Sequence, residues 1–252
     1  MYEEPYKWVE AVGNRRQYLD EQFQQGSPVV GVAYDSGILL MTVSKGTPKL
    51  YEIYDRLALG GMGHPADLEK LRFNLLEMAH VEGFNRSPSD VTGSRMVKYG
   101  VAPVIKQAFE EVFKAPFIVK ILLAELGQKA EKDGFLTINY DGTFEEKGRQ
   151  AVLAATTGIE QTMLAYLREQ PLASLEQAMG AAIRAWAIGD RAQGRIRKEP
   201  SQDTEEHASD DQPSETSETL YAHLRQRVAE KTMECAVLDR QVRGSSKYRT
   251  IT

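Results

Sequence analysis

Strand-forming and helix-forming segments come in groups along this chain, and that rhythm constrains the fold more than any other feature. Residues 6–25 read as one amphipathic helix, with Val9, Val12, Leu19 and Phe23 on one face and Gly26 as its stop. Two β-rich runs, Pro28–Tyr34 and Ile38–Val43, are joined by Asp35-Ser36-Gly37, a hairpin signal. A third run, Leu50–Leu59, ends at Gly60-Gly61-Met62-Gly63, which reads as a turn and lacks the Gly-Lys-Ser/Thr end of a phosphate loop. Two helical segments come next. One carries the stripe Leu68, Leu71, Leu75 and Met78. The other carries Val97, Val101, Ile105, Ala108 and Val112, with Pro103 predicting a kink or a late start. Strand-like runs return at Phe117–Leu126, Phe135–Tyr140 and Ala151–Thr156, punctuated by Asp133-Gly134 and Asp141-Gly142. Two more helical stripes follow, Ile159/Met163/Leu167 and Leu175/Met179/Ala182/Trp186, and the chain closes with two strands, Met233–Asp239 and Lys247–Ile251. Grouped strands between helix pairs break the βαβ rhythm of a parallel sheet. They predict an α+β, four-layer αββα sandwich in one domain spanning residues 1–252, with two antiparallel sheets inside and helix pairs outside.

Composition narrows the class. Apolar residues make up 42% of the 252, enough for a large core and too many for global disorder. A net charge of −5 argues against nucleic acid, which needs a basic face. That charge is local, however. Eight of the 36 acids fall between Glu199 and Glu218, where there is no Lys or Arg, so the remainder holds 31 basic and 28 acidic residues, a charge of +3. The polar stretch 195–218 reads as an exposed, mobile acidic insertion, either solvated filler or a landing site for a basic partner. The single cysteine, Cys235, rules out an internal disulfide and reads as a buried small hydrophobe. His64 and His80 show no metal-ligand spacing with a carboxylate, so no metal and no cofactor are expected. Trp8 and Trp186 read as packing residues. The first eight residues carry two acids and no apolar run, unlike a signal peptide, and no apolar run reaches the roughly 18 residues that span a bilayer. The expectation is a cytoplasmic protein with no membrane partner.

Several short motifs, in order, resemble 20S proteasome subunits, in particular the α type of actinobacterial-like kind. They are Gly26-Ser27-Pro28-Val29-Val30-Gly31-Val32, Asp35-Ser36-Gly37-Ile38-Leu39-Leu40 and Lys49-Leu50-Tyr51-Glu52-Ile53-Tyr54-Asp55-Arg56-Leu57. Asp90-Val91-Thr92, Tyr140-Asp141-Gly142 and Glu234–Asp239 add later matches. The resemblance implies the Ntn-hydrolase/proteasome sandwich with an extra N-terminal helix. It also implies a noncatalytic subunit of a threonine-type endopeptidase complex. Such subunits form a heptameric outer ring on proteasome β-type subunits and dock a ring-shaped ATPase activator.

Catalytic β-type relatives expose a Thr at the position held here by Ser27, and tune it with a strand Asp and a Lys. By that resemblance Val43 stands in the place of the Asp. Arg56 stands in the place of the Lys if the loop at 45–48 is shortened. Arg cannot share a proton with a hydroxyl. No catalytic residue is therefore expected; the alternatives are a self-processing hydrolase that uses Ser27 as nucleophile, or a ring scaffold without a protease. For an α-type subunit the resemblance assigns activator-tail binding to Lys49, Arg56 and Gly63, with His64 where an apolar residue is usual. Strand-edge solvation is the bland alternative for the two cations. It assigns narrowing of the axial entrance to Met1, Tyr2, Glu3, Glu4 and Pro5.

Overall fold

A computed structural model describes residues 5–111, 113–198, 217–229 and 231–251. Residues 1–4 of the expected gate, most of the acidic stretch 195–218 and Val112 lie outside the described residues. The order is α1 (Pro5–Gln24), β1 (Val29–Tyr34), β2 (Gly37–Ser44), β3 (Leu50–Tyr54), β4 (Leu57–Gly63) and α2 (Pro65–Asn85). A short helix α3 (Gly93–Arg95) then leads through a π-helical turn (Met96–Val101) into α4 (Ala102–Glu110). β5 (Val119–Glu125), β6 (Gly134–Ile138), β7 (Phe144–Lys147) and β8 (Gln150–Leu153) follow, then α5 (Thr157–Arg168), α6 (Leu175–Lys198), α7 (Ser217–Ala229), β9 (Thr232–Asp239) and β10 (Tyr248–Ile251).

The strands make two five-stranded antiparallel sheets, ordered β10-β9-β2-β1-β8 and β3-β4-β5-β6-β7. Three apolar clusters hold four layers together. The first lies between the β10–β8 sheet and α5, α6 and α7, around Trp186, Met163 and Val32. The second fills the space between the sheets, around Leu40, Leu122 and Phe135. The third seats α2 and α4 on the β3–β7 sheet, around Leu71, Ile105 and Ile121. Every residue of β1 and β2 is buried because each strand has a helix layer on one face and the other sheet on the second. This is the expected αββα sandwich with a helix ahead of its first strand.

The Asp35-Ser36 turn pairs Tyr34 with Gly37 as expected. Other elements differ, for identifiable reasons. The run 50–59 is two strands folded back at Asp55-Arg56, a turn without Gly or Pro to mark it. Gly60–Gly63 is not a turn but the body of β4. A Cβ on Gly61 would lie 2.2 Å from the Leu68 side chain, so the glycine lets α2 sit directly on the strand. Asp133-Gly134 does lie in a hairpin connection, between β5 and β6 with Glu125 paired to Gly134, but the loop is longer than two residues and Asp133 serves as its inner brace. It is buried, accepts from the Gly127 amide at 2.9 Å and pairs with Arg240 at 2.5 Å. Asp141-Gly142 does turn the chain, but into β7, an edge strand with no buried position and hence no apolar alternation.

Pro103 is preceded by the π-helical turn. It has no N–H to donate and its ring crowds the carbonyl one turn back, so the helix widens there instead of starting late. Helix α6 continues to Lys198, and α7 begins at Ser217, so both ends of the 195–218 stretch are helical. Among the described side chains of α1 only Leu19 and Phe23 are buried and Val12 is partly so; Trp8 and Val9 are exposed and do not join the core. Helix α1 is held by polar contacts as well. Arg15 donates to the carbonyls of Ala108 and Phe109 at the end of α4, each at 2.9 Å, where a cation meets the negative end of the helix.

Candidate functional site

Where α1 ends and β1 begins, the chain passes Gly26 and Ser27 through a buried corner. The Gly26 carbonyl accepts from Gln193 Nε2 at 2.9 Å and from Arg197 Nη2 at 3.1 Å, so α6 clamps the junction. Ser27 is buried, and its Oγ accepts a hydrogen bond from Trp186 Nε1 at 3.0 Å. An indole N–H is a donor only and cannot take the proton of a serine nucleophile. Beside it, Thr42 Oγ1 donates to the Pro28 carbonyl at 2.7 Å.

This corner forms one wall of a cavity of about 260 Å³. Ser27, Val43, Lys45, Lys49, Gly63, His64 and Lys231 line it, and no Asp or Glu does among the described residues. Val43 is fully buried where the catalytic relatives carry an acid. Among the described residues no hydrogen bond links Lys49 to Ser27. In the uncut chain the Ser27 hydroxyl is held by an indole donor, and Val43 and Lys49 share its cavity wall.

The three lysines reach the cavity from different elements. Lys45 and Lys49 sit on the β2–β3 connection and Lys231 precedes β9. The backbone at Lys49 is fixed by Glu234 Oε2, which accepts from the Lys49 amide at 2.9 Å and the Leu50 amide at 3.3 Å. Burial pulls the Lys49 pKa below its ordinary value, and nearby Lys45 adds to this while Glu234 opposes it. Burial also brings Lys231 down to about 8, with Arg227, Lys45 and Arg197 pushing the same way against Asp190.

The opposite wall is the β4–α2 junction. Gly63 adopts φ +135°, and a Cβ there would lie 2.0 Å from the Ile118 carbonyl oxygen, so no side chain fits. The His64 amide donates to that same carbonyl at 2.7 Å. His64 then caps α2, its Nδ1 accepting from the Ala66 amide at 3.3 Å, with Pro65 in the first turn. Three lysines line the cavity beside the N-terminal end of α2; Asp67 in that helix's first turn accepts from the Ile118 amide, and Glu234 is spent on the Lys49 and Leu50 amides, so the cations outnumber the carboxylates around an anion's place.

Arg56 does not belong to it. It lies in the β3–β4 turn, at the far end of the hairpin from the Leu50–Gly60 pair, and its carbonyl accepts from the Leu126 amide at 2.9 Å. Its charge acts on Glu125, whose carboxyl burial pushes up and Arg56 partly restrains. The basic residue that shares the cavity with Ser27 from this hairpin is Lys49, so the expectation that shortened the 45–48 loop and placed Arg56 there is corrected. Lys49 and Gly63 are brought together. His64 also lines it, as its place beside Gly63 implied; Lys45 and Lys231 join the lining and were not anticipated. The spacing of Lys45 from Lys49 could have signalled the first, whereas Lys231 arrives from a distant part of the chain.

The remaining candidates have structural surroundings. His80 Nδ1 lies 2.7 Å from the Leu76 carbonyl and its ring meets Tyr54 edge-on. Cys235 is buried, and burial raises its thiol to about 11. Among the described residues no group of three His, Cys, Asp or Glu could hold a metal ion, and no helix is long and apolar enough to cross a membrane.

A two-sheet sandwich capped by helices, with a further helix ahead of the first strand, is the αββα sandwich of the Ntn-hydrolase/proteasome kind. No family model matches the chain. It is similar to the proteasome subunit alpha of Actinosynnema mirum, 29% identical over 188 residues, covering 74% of this chain and 70% of that one. It is 32% identical to the proteasome subunit alpha of Saccharopolyspora erythraea over 169 residues, 66% of this chain and 64% of the relative. The proteasome subunit alpha of Streptosporangium roseum is 31% identical over 177 residues, 67% and 66% of the two chains. The chain belongs to the proteasome α-subunit family, of actinobacterial-like kind.

Proposed function

We propose that this chain is the noncatalytic outer-ring subunit of a bacterial proteasome and that the Lys49–Gly63 cavity receives the C-terminal tail of a ring-shaped ATPase activator. Seven copies would form a ring over β-type subunits, with residues 1–5 narrowing the axial entrance and the whole particle confined to the cytoplasm. Confinement is the physical logic: hydrolysis of peptide bonds is kept from folded proteins by an entrance that admits only unfolded chains. The observation that carries the docking role is the cavity itself. A tail carboxylate needs a fixed cation and an open floor. Lys49 provides the first, on a backbone pinned by Glu234, and Gly63 provides the second. The noncatalytic role is supported by the Ser27 hydroxyl, held by an indole and facing no base.

Activator-stimulated peptide hydrolysis by the assembled particle tests this reading. Lys49→Gln should abolish stimulation and leave unstimulated hydrolysis intact. Full stimulation of the Lys49→Gln particle would reject the docking role. Deleting residues 2–5 should raise unstimulated hydrolysis without changing assembly, and equal rates would reject the gate.

A further inference from the structure

The cavity at Lys49 does not end at Lys231. The same lysine also lines a larger trough of about 600 Å³ between α6 and α7, with Arg191, Arg195, Arg197 and Arg227. A third opening, lined in part by Lys45 and Arg197, adjoins both. Among the described residues the trough has a single carboxylate, Asp190, and it is already paired. Arg227 grips it with Nε and Nη2, each at 2.7 Å, and His223 Nε2 lies 2.9 Å away. Arg197 is committed to the Gln24 and Gly26 carbonyls. Arg191 reaches Thr219 Oγ1 at 3.2 Å, a neutral partner. Arg195 and Lys45 are exposed, and neither forms an ion pair among the described residues, nor does Lys231.

These cations repel one another, and Asp190 and Glu234 offset the repulsion only in part. The charge of Lys45 disfavours those of both Lys49 and Lys231, and Arg227 and Arg197 disfavour that of Lys231. Like charges gathered in concave, half-buried ground focus a positive potential that an anion would relieve. The trough, at about 600 Å³, is larger than a single carboxylate fills, and Lys231 is the residue it shares with the Lys49 cavity.

We propose that the trough reads acidic side chains upstream of the docked carboxylate, so that the partner of this subunit carries Asp or Glu residues shortly before its C-terminus. The inference rests on the docking role of the Lys49 cavity and adds the chemistry of the tail. The terminal carboxylate sits at Lys49 and Gly63, and the preceding acids lie along Lys231, Arg195 and Arg191.

The test is fluorescence anisotropy with short labelled peptides on the assembled full-length subunit. One peptide has several Glu upstream of a free C-terminus, the second has Gln in their place, and the third is the acidic peptide with an amidated C-terminus. A chain with residues 199–216 replaced by a neutral linker is measured alongside, because the acids of that stretch are joined to both helices of the trough. The acidic peptide should bind about tenfold more tightly than the Gln peptide at low salt, in one or both chains, and the gap should narrow as salt rises. Arg191→Gln/Arg195→Gln should erase the gap and leave the Gln peptide unaffected. Lys49→Gln should weaken both free-ended peptides. Equal binding of the acidic and Gln peptides in both chains, with Lys49→Gln still weakening them, overturns the acidic-tail proposal and leaves the docking role standing. Unchanged binding in Lys49→Gln overturns the docking role itself. An amidated acidic peptide that binds as well as the free one also overturns the proposal, since attraction would then be undirected.

Discussion

Ser27→Ala separates a structural serine from a nucleophile. In the native chain Ser27 Oγ is the acceptor for Trp186 Nε1 at 3.0 Å, and Trp186 is fully buried on α6. Removing the hydroxyl leaves a buried indole N–H without its protein partner. Such a group costs about 1–3 kcal/mol. For a chain of this size that corresponds to a fall in Tm of roughly 2–10 °C. Calorimetry on the purified chain reads the fall, and tryptophan emission should shift because one of only two indoles changes its surroundings. Peptide hydrolysis by the particle assembled with β-type subunits should be unchanged. Intact mass should show wild type and variant alike retaining the residues ahead of Ser27. A wild-type chain that begins at Ser27, with a variant that stays uncut, would refute the reasoning and make this subunit a self-processing hydrolase.

Two further outcomes follow from neighbouring geometry. Gly63→Ala places a methyl group 2.0 Å from the Ile118 carbonyl oxygen at φ +135°, so strain alone should cost on the order of 1–3 kcal/mol; thermal unfolding would read it, and a Tm within a degree of wild type would contradict the described floor. Asp190 has its carboxyl held at about 2: burial works against ionisation, but the hydrogen bonds from His223 and Arg227 outweigh it. Its folded pKa lies below the unfolded one, so the contribution is complete above about pH 4 and is lost as pH falls towards 2. Asp190→Asn should therefore lower stability by about 2 kcal/mol at neutral pH and by much less near pH 2, measured by denaturant unfolding across pH; a constant difference would contradict the paired carboxylate.

Much of the sandwich was legible because burial leaves a periodic trace. Ile159, Met163 and Leu167 recur at helical spacing because α5 buries one stripe, and β1 and β2 read as apolar runs because both their faces are covered. What escaped left no such trace. β7 is an exposed edge strand, and α7 follows a polar stretch with only Leu220 fully buried among its described side chains. Gly60–Gly63 carries a turn composition inside a strand, because close approach of α2 and of the Ile118 carbonyl demands the same missing side chain that a turn does. The site was half legible for a similar reason. Lys49 and Gly63 are fourteen residues apart in sequence and meet because β3 folds back on β4, where Gly61 N donates to the Lys49 carbonyl at 2.9 Å. Arg56 lies between them in sequence and is thereby sent to the other end of the hairpin. Lys231 joins through β9, the last long strand, and only the tertiary fold shows that β9 lies beside β2.

The decisive measurement is electron microscopy of the particle made by co-expressing this chain with a proteasome β-type subunit, with a free-ended activator tail peptide added. Sevenfold outer rings of this chain on both ends of a β-type core are expected, with the α1 helix intact ahead of Ser27 and tail density against Lys49 and Gly63. Outer rings whose tail density sits elsewhere, or particles in which this chain occupies the inner rings with a free amine at Ser27, would contradict this expectation.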